Sequence, residues 1–142
     1  MRIAVGDRMV FVRLDHEEEF YATLYEAVKK TRFSSAVVLS GIGMLMDFEL
    51  GWFDVENQRY ERRGFSGAYE LLNLSGNLSF KDGKPFFHLH AVLSKPGEPA
   101  IGGHLFSAKV CNTVELFLTE PGVKLVRAEG TTFRPLIVQE EE

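Results

Sequence analysis

The chain has 142 residues, the length of one ordinary domain, and a net charge of −4. Apolar residues make up 45% of it and charged residues 25%, a globular composition that excludes a disordered chain and gives no sign of a broad basic surface for nucleic acid. Because no apolar run approaches the ~20 residues that cross a bilayer, and the first residues lack a signal-peptide core, we expect a cytoplasmic protein with no membrane partner.

The first predicted elements are a short strand over residues 9–14 and a helix that follows it. Asp15 and Glu18, three residues apart, resemble a capping box, and such acidic residues suit the amino end of a helix. Apolar residues then recur at helical spacing: Phe20, Tyr21, Leu24, Ala27 and Val28. This pattern predicts one main N-terminal helix over about residues 16–31.

After the helix, the chain predicts only strands. An unbroken apolar run at 36–39 is typical of a central strand, and further β-type segments follow at 48–52, 60–65, 68–80, 85–93, 101–110, 113–119 and 124–129. Gly, Pro and Asp form turns between several of them. One early helix and many antiparallel hairpins predict an α+β fold with a mostly antiparallel sheet. We expect a single domain over residues 1–138 and an acidic, disordered tail over 139–142.

Three of the four histidines lie close together in the sequence. His88 and His90 are two residues apart in a predicted strand, so they share one face. If the turn that follows is the five residues 95–99, the pairing that it sets places His90 opposite His104, where side chains on one face are about 4.5–5.5 Å apart at Cβ. A slip of one residue would turn His104 to the other face. The sequence therefore predicts three imidazoles on one side of a hairpin.

Three neutral imidazoles suit zinc or a similar divalent ion. Three protein ligands leave one coordination position for water or a ligand, which is the usual arrangement of a catalytic zinc. The alternative is that His88, His90 and His104 are ordinary sheet residues that are hydrogen-bonded or solvated. Glu49 and Glu70 interrupt apolar strands, and each either faces solvent or serves as a fourth ligand or a general base.

Several segments, in their order and spacing, resemble a PPC (plants and prokaryotes conserved) domain of the stand-alone prokaryotic type. They are Ser40-Gly41-Ile42-Gly43, the segment 48–54, the segment 69–77, His88-Leu89-His90 and Ile101-Gly102-Gly103-His104-Leu105. The resemblance covers about residues 8–130. It implies a compact α+β domain, usually a homotrimer, with histidines of this type near a cleft between subunits. Plant relatives join the domain to a DNA-binding AT-hook; this chain has no Arg-Gly-Arg-Pro hook, so a nucleic-acid partner is not expected.

A more distant resemblance, in fold and site, is to acetolactate decarboxylase, which also holds zinc with a His-x-His pair and a later histidine. It implies His88, His90 and His104 as ligands and no further residue. Three functions stay open, and whether the chain is an enzyme stays open with them. The first is a homo-oligomeric, trimeric zinc-type module with a small anionic or carbonyl ligand. The second is a zinc-dependent lyase or hydrolase acting on a small molecule, and the third is a DNA-associated scaffold.

Overall fold

The computed structural model describes residues 1–130 and 132–140. In these ranges the chain forms β1 (Arg2–Val5), β2 (Met9–Asp15), α1 (Phe20–Lys29), β3 (Ala36–Asp54), β4 (Arg59–Lys81), β5 (Lys84–Ser94), β6 (Ile101–Thr119), β7 (Leu125–Arg127) and β8 (Leu136–Val138). Over the same ranges, no helix has the length and apolar character that crossing a membrane requires. Of the predicted acidic tail, residues 141 and 142 lie outside the described residues.

The α+β class expected from the sequence is wrong, because the domain is mainly β. Strands β3 and β6 have 19 residues each and β4 has 23, whereas α1 has only 10. The predicted helix began too early: Glu19 makes a β-bridge to Lys109, and its carboxylate then caps α1 by accepting the N–H of Ala22 at 2.6 Å. The segments 36–39 and 48–52 were expected as two strands, but they join in β3, whose pairing continues across bulges, one of them at Asp47 (φ 47°).

Four strands pair into a closed ring. Strand β3 pairs with β4, β4 with β5, β5 with β6, and β6 again with β3, and every pair is antiparallel. The far half of β6 also pairs with β2, which carries β1, while β7 and β8 extend the sheet beyond β4. Ring closure pairs each of these strands on both sides over part of its length, and bulges in the long strands allow the bending that closure needs.

One hydrophobic core fills the space that the sheet encloses. Helix α1 places Phe20, Leu24, Ala27 and Val28 in it. Its largest fully buried side chains are Phe20, Phe48, Leu14, Leu24, Leu45, Leu50, Leu74, Leu78, Leu89, Leu93, Leu105 and Leu116. Burial of each such side chain stabilises the fold by about 1.5–3 kcal/mol. The alternation predicted for β5 is confirmed, since its core residues are Phe87, Leu89, Ala91 and Leu93. The histidines between them therefore point away from the core.

Gly76 sets the distance between β4 and β5 beside the histidines. It pairs with Leu89 and has a φ of 148°, which L side chains rarely adopt. A Cβ at this position would lie 1.9 Å from the carbonyl oxygen of His88. The backbone of β5 can therefore approach β4 this closely only because residue 76 has no side chain.

We expect Gly76→Ala to lower the free energy of unfolding by about 2–4 kcal/mol, because backbone strain and steric overlap add. Gly64→Ala is the matched control in the same strand, since nothing lies within 4 Å of its added Cβ. Its effect should stay within about 0.5 kcal/mol. Chemical denaturation measures both variants, and equal losses would contradict the close approach at Gly76.

Candidate metal centre

The structure brings the three predicted histidines together. His90 and His104 are paired residues of β5 and β6, so the register predicted from the turn length is confirmed. His88 lies two residues before His90 in β5, opposite Asn77 of β4. His88 and His104 are half-buried and His90 is exposed. The cluster therefore sits at the surface, where strands from two sides of the ring meet.

The imidazole nitrogens are close enough to share one ion. Nε2 of His88 lies 3.1 Å from Nε2 of His90, and the rings of His88 and His104 stack with centroids 5.1 Å apart. Each of the three residues offers a nitrogen within 4.8 Å of the other two. Two nitrogens bound to tetrahedral zinc at 2.0–2.1 Å stand about 3.3 Å apart. The first pair already matches this spacing.

Burial keeps two of the three rings, His88 and His104, uncharged at neutral pH. The pKa of His88 is lowered to about 4, mainly by burial and then by the cation of Arg127 and the ring of His90. Burial is also the main reason that the pKa of His104 falls to about 4, with the other two histidines next. Because a metal binds the unprotonated imidazole, both rings have a lone pair available at neutral pH.

Aromatic rings fix the position of His104. Phe106 lies 4.4 Å and Tyr60 lies 5.1 Å from it, centroid to centroid. Phe106 fits there because Gly51 has no side chain, since a Cβ would lie 2.2 Å from its ring. Within the described residues, the buried Nδ1 of His104 has no hydrogen-bond partner. Such an atom is a common sign of a bound ion or water, so the donor set fits a divalent metal such as zinc.

Helix α1 completes the site where β5 and β6 separate. The two strands pair only from Leu93–Ile101 to His90–His104. Beyond that point, the hydroxyl of Tyr25 accepts the N–H of Phe87 at 2.9 Å, and the hydroxyl of Tyr21 donates to the carbonyl of Leu105 at 2.5 Å. Burial raises the pKa of both tyrosines, so their hydroxyls stay protonated. The helix therefore replaces hydrogen bonds that the two strands no longer make to each other.

A cavity of about 400 Å³ lies in this opening, against His88 and His104. Seven tyrosines and phenylalanines line it: Tyr21, Tyr25, Tyr60, Phe86, Phe87, Phe106 and Phe133. Three cations, Lys81, Arg127 and Arg134, line it as well. Arg127 was not among the site residues predicted from the sequence. The sequence marks Arg127 only as a cation after the apolar residues of the short strand β7. That pattern does not indicate that the strand ends beside the histidines.

The two glutamates singled out in the sequence lie outside the cluster. The carboxylate of Glu49 accepts hydrogen bonds from Arg62, whose Nε is 2.9 Å away. Glu70 is exposed and pairs with Ser94, four residues along β5 from His90, or roughly 13 Å. Over the described ranges, no carboxylate joins the group of convergent ligand atoms. A role for Glu49 or Glu70 as fourth ligand or general base stays a prediction.

The fold and the site define a class: a small domain around a closed β-ring, with three histidines at a strand opening. The chain belongs to the Plants and Prokaryotes Conserved (PCC) domain family, whose family model matches residues 1–121. This is the family called PPC above, and membership confirms the resemblance inferred from the sequence motifs. No curated protein matches the chain significantly.

Solved structures share the whole fold. A PPC protein from Pyrococcus horikoshii is 30% identical, with a TM-score of 0.82 over 99% of this chain and 96% of its own. A metal-containing protein from Archaeoglobus fulgidus is 32% identical, with a TM-score of 0.81 over 98% and 97%. A protein from Bacteroides thetaiotaomicron, at 22% identity, reaches a TM-score of 0.86 over 97% and 96% and shares the fold. The described domain therefore corresponds to nearly the full length of each relative.

The hydroxyl of Tyr25 can be tested alone. Tyr25→Phe leaves the N–H of Phe87 without its acceptor, so we expect a loss of about 1–3 kcal/mol in unfolding free energy and faster hydrogen exchange at that amide. Tyr60→Phe is the control, since the described residues make no hydrogen bond to its hydroxyl. Unchanged exchange at Phe87 in Tyr25→Phe would show that the helix does not hold this strand.

Proposed function

We propose that this protein is a cytoplasmic, homotrimeric module that binds one zinc or similar divalent ion per chain through His88, His90 and His104. The observation that carries the proposal is the convergence of three imidazole nitrogens within 4.8 Å on two paired strands. Neutral rings and the buried, unpartnered nitrogen of His104 support it. The Archaeoglobus fulgidus relative, which is a metal-containing protein, supports it as well.

The coordination position that three protein ligands leave open is proposed to take a small anionic or carbonyl ligand from the adjoining cavity. When bound, the ion supplies a Lewis acid that polarises a carbonyl or acidifies a water molecule. The chain's own residues orient the ligand: the aromatic rings exclude water, and the three cations attract negative charge. A binding module is favoured over a lyase or hydrolase because, within the described residues, no carboxylate reaches the histidine cluster to act as a base.

Metal content tests this function. Protein reconstituted with zinc and desalted should hold about one ion per chain by mass spectrometry. His88→Ala and His104→Ala should each weaken zinc binding by more than the roughly 10–100-fold that loss of an outer-shell partner costs. His16→Ala is the control, because His16 lies apart from the cluster and accepts the N–H of Asn112. Wild-type protein without a stoichiometric divalent ion would end the proposal.

An exposed apolar surface supports the proposed trimer. Ile42 on β3, Leu72 on β4 and Val92 on β5 are each at least 41% exposed. The first two continue the register of the paired residues Gly43 and Leu71, so they are neighbours across the sheet. Exposed apolar patches of this kind mark interaction surfaces.

Light scattering should give three times the mass of one chain. Ile42→Glu should shift the protein towards monomer, because a buried, unpaired carboxylate is costly at an interface. Val55→Glu, at an exposed valine between β3 and β4, should leave the mass unchanged. A monomeric wild-type protein, or a Val55→Glu variant that dissociates as readily as Ile42→Glu, would contradict this surface.

A further inference from the structure

The three cations of the cavity differ in how their charges are balanced. Arg134 donates two hydrogen bonds of 2.9 Å to the carboxylate of Asp82. The ammonium of Lys81 lies 4.8 Å from the centre of the Phe86 ring. Arg127 forms no ion pair with any carboxylate of the described residues, although it is half-buried. Lys81 has no carboxylate partner among the described residues either, and both cations lie over Phe86, but Arg127 is the one that also contacts His88.

The hydrogen bonds of Arg127 leave part of its guanidinium unused. Its Nη2 donates to Oδ1 of Asn77 at 3.0 Å, and its Nη1 reaches the carbonyl of Arg134 only at 3.4 Å. Its buried Nε has no partner among the described residues. An unpaired donor on a partly desolvated cation is costly. A carboxylate in the cavity that met the accessible part of the planar guanidinium would add charge-assisted hydrogen bonds to this cation.

Metal binding adds a second demand for the same anion. Nη2 of Arg127 lies 3.3 Å from Nδ1 of His88, and because arginine can only donate, Nδ1 must accept. The Nε2 of His88 faces His90. If Nε2 were the atom that holds the metal, Nδ1 would carry the proton and would face Arg127 as a second donor. An acceptor atom that lay beside both Nη2 of Arg127 and Nδ1 of His88 would relieve this conflict, and an anionic oxygen is such an atom.

We propose that Arg127 anchors the carboxylate of a small 2-hydroxy or 2-oxo acid with an apolar or aromatic substituent. This inference rests on the metal function proposed above, because the ion that His88, His90 and His104 would hold would supply the second point of attraction for the acid. The substituent lies among Phe86, Phe106 and Phe133. The cavity of about 400 Å³ has the size of a small-ligand site, and no carboxylate of the described residues lines it to repel an acid.

The test uses calorimetry with zinc-loaded protein and phenyllactate as the probe. Arg127→Gln should weaken binding roughly ten- to hundredfold, because hydrogen bonds to a charged group are lost. The affinity of Arg127→Lys for phenyllactate should lie between those of the wild type and Arg127→Gln, since lysine keeps the charge and loses the planar pair of donors. Arg63→Gln is the control, because Arg63 lies over Phe65 and does not line the cavity. The primary amide of phenyllactate should bind the wild type at least about tenfold more weakly than the acid.

A separate zinc titration distinguishes the two possible failures. Suppose that wild type and Arg127→Gln take up the same amount of zinc. If they then bind phenyllactate with the same affinity, the anchor is overturned while the metal function stands. If the wild type takes up no zinc, the metal function fails and this inference fails with it. Should Arg127→Gln not fold, the wild type alone decides, because equal affinities for the acid and its amide overturn the anchor.

Discussion

The structure depends on a short ladder between β5 and β6, only four residue pairs long. This ladder closes the four-strand ring, and its last pair is His90 and His104. Because side chains alternate along a strand, the same register that buries Leu89 and Leu105 turns the histidines outward. A register slip of one residue would expose core leucines and would also place the imidazoles on different faces of the sheet. Fold stability and site geometry are therefore fixed by the same hydrogen bonds.

The end of that ladder explains why a cavity exists at all. Strands that continued to pair would leave no room, whereas strands that separated without other partners would leave buried backbone groups unsatisfied. Tyr21 and Tyr25 resolve this conflict, because each brings a hydroxyl to a backbone group of β6 or β5 and leaves its ring as a wall of the cavity. The short helix thus maintains an opening in the sheet, in addition to filling the core.

The parts of this molecule that sequence could predict are those set by local pattern. Alternation gave the buried face of β5, and a five-residue turn gave the pairing of His90 with His104. The mainly β architecture was missed, because bulges such as that at Asp47 join segments that look separate in sequence. Arg127 was missed for a different reason. Strand β7 pairs with β4 through the single pair Val126 and Phe80, and neither a turn nor a periodic pattern in the sequence predicts that contact.

Charge balance links the histidines to the rest of the cavity. Burial keeps His88 and His104 uncharged, so a divalent ion on the three rings would keep its full charge of +2. Arg127 adds another positive charge 3.3 Å from the His88 ring, and no carboxylate of the described residues lies in the cluster to offset either. With the proposed ion bound, this half-buried site would carry an excess of positive charge that an anion would offset. Under the proposed function, a negatively charged ligand would therefore suit the cavity better than a neutral carbonyl compound.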